Sequence, residues 1–167
     1  MKIVNRNDKV MFYGVVTVSG ETTTTTYKRM QGFTDLSKSH NAQEYSRRYV
    51  DEKTERTDLT GYAPTIGFNF DQMSDSDVHK DIVSIIDGEK IGADCVRSLI
   101  MVDLTTKTGS SGSETYTGYK RDFSIIPSSE GDSTDAYTYS GDFKANGDST
   151  TVTGTLSADG LTFTPSV

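Results

Sequence analysis

Apolar residues fall in short runs along this chain, and turn-forming residues separate them. Val10–Val18 (VMFYGVVTV) is a continuous β-rich run that stops at Ser19-Gly20. Thr22–Met30 follows with β-branched Thr and with Tyr, residue types that suit a pleated, half-exposed surface. Gly32–Ala42 is polar and reads as a long connection. Thr65–Phe70 (TIGFNF) alternates cleanly, with Ile66, Phe68 and Phe70 on one face and Pro64 at its start. Over Ser76–Asp87 the period changes: Val78, Ile82, Ile85 and Ile86 form the single stripe of an amphipathic helix. Ser74 with Asp77 is expected to cap that helix and Gly88 to end it. Val96–Leu104 (VRSLIMVDL) reads as a core strand and Thr106–Ser113 as a hairpin tip. Tyr116–Ile126 is the next strand, stopping at Pro127, and Ser128–Asp135 is a polar loop. Ala136–Lys144, Thr151–Leu156 and Leu161–Thr164 complete the strands, with Asn146-Gly147 and Asp159-Gly160 as turns between them. Many short strands and one helix predict a mainly β fold, a β-sandwich or barrel with one flanking α-helix at about Ser76–Asp87.

One stretch does not fit a core. In Gln43–Thr60 the set Tyr45, Arg47, Tyr49, Asp51, Lys53, Glu55, Thr57 is as polar as the set Glu44, Ser46, Arg48, Val50, Glu52, Thr54, Arg56. A strand held by its own core buries one face, which shows as period-two alternation, and neither set provides one. Fully extended at ~3.3 Å per residue, Glu44–Thr60 would run on the order of 55 Å, far beyond an ordinary strand. A long projecting strand or hairpin at about 43–60, completed by neighbouring copies, is the expectation. The same residues accommodate a helix: Asn41 with Glu44 makes a capping box, and Glu44–Arg48 and Glu52–Arg56 are favourable four-residue pairs.

Composition narrows the function. The chain has 167 residues, one domain's length, with only 33% hydrophobic residues and no Trp, which favours stability shared through assembly. Its formal net charge of −7 makes it a poor match for phosphate backbones. The single cysteine, Cys95, rules out an internal disulfide framework and reads as a buried core thiol. No apolar stretch approaches the ~20 residues of a membrane span, and the first residues are not a signal peptide, so a soluble protein made in a cytoplasm is expected. Only His40 and His79 exist, neither in a nucleophile or metal-ligand spacing; His79, beside the apolar stripe, is expected to face solvent. Asp71, Asp75 and Asp77 resemble half of a calcium loop, but the Gly and closing Glu are missing. Ser129–Asp135 (SEGDSTD) reads as a solvated loop. No catalytic, cofactor-binding or metal site emerges. What remains is the mixed-charge stretch, whose candidate interface or lumen residues are Tyr45, Arg47, Arg48, Tyr49, Asp51, Glu52, Lys53, Glu55, Arg56 and Asp58. Aromatics interleaved with Arg, here with Tyr62 beyond them, mark interfaces more than bare surface.

The segments YKRMQGFTDLSKSHNAQEYSRRYVDEKTERTDLTGYAPTIGFNFDQ, VHKDIVSIID, VRSLIMVDL and YKRDFSIIPSSEGDSTDAYTYSGDFKANG, in that order from about Val10 to about Gly147, resemble the major tail proteins of phages of Gram-positive bacteria, the tail tube proteins. The whole chain, 1–167, is read as one tail tube domain, with an N-terminal arm at 1–9 and C-terminal strands or an arm at 148–167 outside the resembling stretch, and the resemblance implies a β-sandwich or barrel-like subunit with a flanking helix. It further implies six subunits per ring, strands joined into one continuous inner β-barrel, and rings stacked into a hollow tube. Its implied partners are further copies of the chain, tape measure protein, tail tip or initiator and terminator proteins, and a sheath protein in a contractile tail. DNA would pass without specific binding. The implied setting is the virion tail, assembled in the host bacterial cytoplasm. The inner tube of a contractile tail or of a phage tail-like bacteriocin fits the same residues. An Ig-like adhesion or carbohydrate-binding module is the alternative of another class, and it would be monomeric.

Overall fold

The structure, a computed structural model, describes residues 1–167. After a 3-10 turn at Arg6–Asp8, the strands are β1 (Lys9–Ser19), β2 (Thr22–Arg29), β3 (Phe33–Ser39), β4 (Ala42–Arg47), β5 (Arg56–Tyr62) and β6 (Thr65–Asp71). Helix α1 (Asp77–Asp87) and a 3-10 turn (Gly92–Cys95) come next, then β7 (Val96–Thr108), β8 (Thr115–Glu130), β9 (Thr138–Ala145), β10 (Thr150–Leu156) and β11 (Thr162–Pro165). The fold is mainly β with one helix.

Antiparallel pairing runs in the order β10-β11-β2-β1-β7-β8-β9-β6-β3, and β10 also pairs with β8. That extra pairing closes six strands into a small barrel, while β8 continues beyond it to carry β9, β6 and β3 as a further sheet. Barrels this narrow are filled by side chains. Val10, Phe12, Tyr27, Ile100, Val102 and Phe163 fill this one, with the Phe12 and Phe163 rings 5.6 Å apart. Gly154 is required there, because a Cβ would stand 2.6 Å from the Phe163 ring.

A second core lies between the further sheet and α1. It contains Met11, Tyr13, Ile66, Phe68, Phe70, Leu99, Phe123, Ile125, Tyr139 and Phe143, covered by Val78, Ile82 and Ile85. β1 therefore sends Val10 and Phe12 into the barrel and Met11 and Tyr13 toward the helix. A strand buried on both faces reads as a continuous apolar run, which is why VMFY and LIMV lack alternation. β6 and β9 have one covered face only, and they alternate.

Several expectations need correction. The Gly32–Ala42 connection contains β3, an edge strand held by backbone pairing to β6 while only Phe33 and Leu36 are partly covered. β8 passes through Pro127 to Glu130, which a strand tolerates where one of its sides is unpaired. The Ser128–Asp135 loop accordingly shrinks to the connection after Glu130. The cap of α1 is Ser76, whose Oγ accepts from the His79 N–H at 3.3 Å, and not Ser74. Cys95 is half-buried at the edge of the second core, not within it.

His79 does not face solvent; it is fully buried. Its Nδ1 accepts from the Met73 N–H at 3.0 Å, so its Nε2 carries the proton and donates to the Gln31 carbonyl at 2.8 Å. Phe70 stacks on the ring with centroids 4.3 Å apart and Phe33 meets it edge-on. Both nitrogens are satisfied, which is how an imidazole sits in an apolar layer. Burial pulls its pKa below the ordinary histidine value, against smaller opposing effects of the Gln31 carbonyl and the Asp75 charge.

Candidate assembly interface

β4 and β5 form a separate two-stranded ribbon that pairs with no other strand. Every β4 residue is exposed, as is nearly all of β5. The helical alternative for these residues does not occur: cross-strand pairing, including the Ser46–Thr57 hydroxyl contact at 2.8 Å, takes the place of the Glu44–Arg48 pair, while Glu52–Arg56 forms across the tip loop instead of along a helix. Asn41 starts the ribbon at a φ of 45°, and its amide donates to the Ala63 carbonyl at 3.0 Å, tying the two ends together. Thr60 bulges out between Leu59 and Gly61, and its hydroxyl donates to the Gln43 carbonyl.

Register divides the candidate residues. Tyr45 opposes Asp58 and Arg47 opposes Arg56, so these four share one face. The Arg47 guanidinium donates to the Tyr45 hydroxyl at 2.9 Å. Arg56 reaches toward the loop and pairs with Glu52, whose second carboxylate oxygen is buried without a partner. Arg48, Tyr49, Asp51, Lys53 and Glu55 lie in the loop at the tip, exposed and without side-chain hydrogen bonds. The other face carries Glu44, Ser46, Thr57 and Leu59, with Tyr62 at the base; Leu59 and Tyr62 are both more than half exposed. With four cations against five acids between Gln43 and Tyr62, the ribbon is nearly neutral.

A second surface escaped the sequence reading. One face of the sheet β8-β9-β6-β3 packs on α1, and the opposite face is bare. Pairing places Asp122 and Ser124 of β8, Ser140 and Asp142 of β9, Gly67 and Asn69 of β6, and Asp35 and Ser37 of β3 there. A Cβ on Gly67 would lie 3.4 Å from the Asp35 carboxylate and 3.7 Å from that of Asp142, so both acids lean over it. The face is acidic on balance and mostly of small polar residues, with Lys144 opposite Ser124 and Ile126 opposite Asp142 as its larger side chains. Its signal was the polar half of the TIGFNFD alternation.

This sheet also ends in two open edges. β3 pairs only with β6. On the other side, β7 pairs with β8 only as far as Ser124, so Ile125–Glu130 has β9 on one flank and nothing on the other. Beside that open edge runs a groove of about 680 Å³ lined by Ile86, Ile91, Cys95 and Ile126 among others. Ile91 is 82% exposed.

No protein-family model matches the sequence, and no curated protein does. Among solved structures, a chain from the tail of an empty GTA particle, refined with helical and C6 symmetry, superposes at a TM-score of 0.59 with 13% identity, over 89% of this chain and 98% of that one. The chain has the tail-tube fold. Looser superpositions are found on a chain from the anti-feeding prophage baseplate, TM-score 0.49, 8% identity, 90% of this chain and 97% of that one. A chain from a PVC sheath-tube complex in the extended state gives 0.44, 13% identity, 89% of this chain and 90% of that one.

Proposed function

We propose that this chain is a structural protein that polymerises as stacked hexameric rings into the hollow tail tube of a phage or phage-like particle. The observation that carries it is the sheet β8-β9-β6-β3, with two open edges, a groove along one of them, and a bare acidic face. Four antiparallel strands are an even number, so β3 of one copy set beside the Ile125–Glu130 edge of the next keeps the antiparallel alternation. Repetition of that head-to-tail contact closes a ring and removes every free edge. Leu36 of β3 faces the helix layer and would enter the Ile86–Ile91 groove of its neighbour. Six copies match the symmetry of the GTA tail.

In such a ring the bare face lines the hole. Asp35, Asp122 and Asp142 would repel phosphate, and the small side chains offer no aromatic platform for bases, so DNA passes without being held. The ribbon, with Tyr45, Arg47, Arg56 and Asp58 on one face and Leu59 and Tyr62 on the other, bridges subunits, its charges fixing register more than supplying affinity. Tape measure, initiator and terminator proteins are the further partners of such a tube, and a sheath protein where the tail is contractile. The virion tail is then its location.

The Ile91→Asp variant tests this reading. The monomer should keep its melting temperature, because Ile91 touches solvent, while ring and tube formation by negative-stain microscopy should be lost. Tubes unchanged in the variant would contradict the proposed lateral contact.

A further inference from the structure

If lateral edges close the ring, the strand ends of the sheet face the rings above and below. Those two ends differ in charge. At the ribbon end, a cleft of about 250 Å³ opens beside the point where α1 stops covering the sheet. Its floor is Met11, Ile66, Leu99 and Phe123, and its rim carries Lys38, Arg121, Tyr62 and Tyr119. The Arg121 Nε is buried and has no hydrogen-bond partner. Neither Lys38 nor Arg121 takes part in any ion pair of the chain. Asp122 points to the opposite face, and Asp148, in the turn after β9, pairs with neither. Lys38 is held below the ordinary lysine pKa, chiefly by loss of solvent and then by the Arg121 charge. Two cations thus face each other over apolar ground with no acid between them, an arrangement that costs energy in the free subunit.

The opposite end is the reverse. Glu130 at the end of β8, with Asp132 and Asp135 in the connection to β9, has no Lys or Arg among the intervening residues, and none of the three acids is in an ion pair. At ~3.3 Å per residue, Arg121 and Glu130 stand roughly 30 Å apart along β8, so the acids of one chain cannot reach its own cleft. A copy translated along the strands can bring them there. That contact is head-to-tail and does not close, so it propagates as a filament.

We infer that the Lys38–Arg121 cleft receives the acidic β8–β9 connection of the copy in the next ring, an inference that rests on the tube reading above. The occupant is a second copy of this chain, and the contact stacks rings in one polarity. Like ends repel, so inverted stacking is disfavoured as well as normal stacking favoured.

Charge exchange tests it on the full chain. Lys38→Glu with Arg121→Glu, and separately Glu130→Lys with Asp132→Lys, should leave folded protein that forms single rings but no tubes in low salt. The variant carrying all four changes should form tubes again, as should an equimolar mixture of the two reversed proteins. Should the double Glu variant fail to fold, Lys38→Gln with Arg121→Gln serves in its place and should shorten the tubes. Tubes of undiminished length in either reversed protein would overturn the inference while leaving the tube reading intact. So would absence of rescue in the fourfold variant. A wild-type protein that never forms rings would overturn both.

Discussion

At the scale of single residues, the helix layer is pinned by polar groups that the apolar pattern hides. The Asp81 carboxylate accepts from the Tyr13 hydroxyl at 2.5 Å and from Arg97 at 2.7 Å and 3.2 Å, joining α1 to β1 and β7. The Arg97 and Asp81 side chains are 12% and 15% exposed, and Tyr13 is fully buried. Burial, then the Asp81 charge, raises the Tyr13 pKa well above that of a free tyrosine. Asp81→Ala removes the acceptor of two covered donors and should cost ~2–4 kcal/mol in urea denaturation. His79 gives a pH dependence. Its folded pKa is lowered, so the native state binds fewer protons than the unfolded chain, whose histidine titrates near 6.5. The stability it contributes is full above pH ~6.5 and falls as the pH drops toward the folded value, by at most ~1.4 kcal/mol per unit. The urea midpoint should therefore fall between pH 7.5 and 5.5, and the fall should be smaller in His79→Gln; equal falls would remove His79 as the cause. Asp77, lowered by its Lys28 partner, acts in the acid range below pH ~4 and leaves this window clear.

At the scale of elements, the ribbon and the core are separable. Nothing from Gln43 to Gly61 enters either hydrophobic cluster. Replacing residues 44–59 by a short Gly-Ser turn should shift stability by no more than ~0.5 kcal/mol, since the lost residues are exposed. Tube formation should be abolished. A large fall in melting temperature would show that the ribbon supports its own subunit after all. The same separation explains how much could be read beforehand. α1, β6 and the two apolar strands β1 and β7 were legible because burial imposes a period or a run on them. The ribbon was legible by default, as residues for which no burial pattern exists. β3 was not, since an edge strand with Leu36 as its one inward aliphatic residue leaves no periodic trace. The path of β8 through Pro127 was hidden because a proline stops a strand only where its N–H is needed. His79 was misread because sequence position beside an apolar stripe does not say whether Gln31 and Met73 will be there to satisfy the ring. The bare acidic face was overlooked because its acids come singly, one per strand, and converge only after the sheet is paired.

At the scale of the whole molecule, the subunit is built asymmetrically about one sheet. Its covered face belongs to α1, its bare face is acidic, its lateral edges are open, and its two ends bear unpaired charges of opposite sign. A monomer gains nothing from these features: open edges invite association, and the Lys38–Arg121 juxtaposition costs energy. A closed ring uses the edges and a stack uses the ends, leaving the acidic face around the hole. In the proposed tube the candidate residues of the ribbon would serve contact between copies, and the charge that tunes passage would belong to Asp35, Asp122 and Asp142. The most direct test is a cryo-EM cross-section of assemblies formed by the purified wild-type chain. The account predicts one uninterrupted sheet around a central hole, β3 of each subunit beside Ile125–Glu130 of the next, and those three acids pointing inward. A particle whose subunits meet through other surfaces, with β3 open to solvent and the acidic face turned outward, would contradict it.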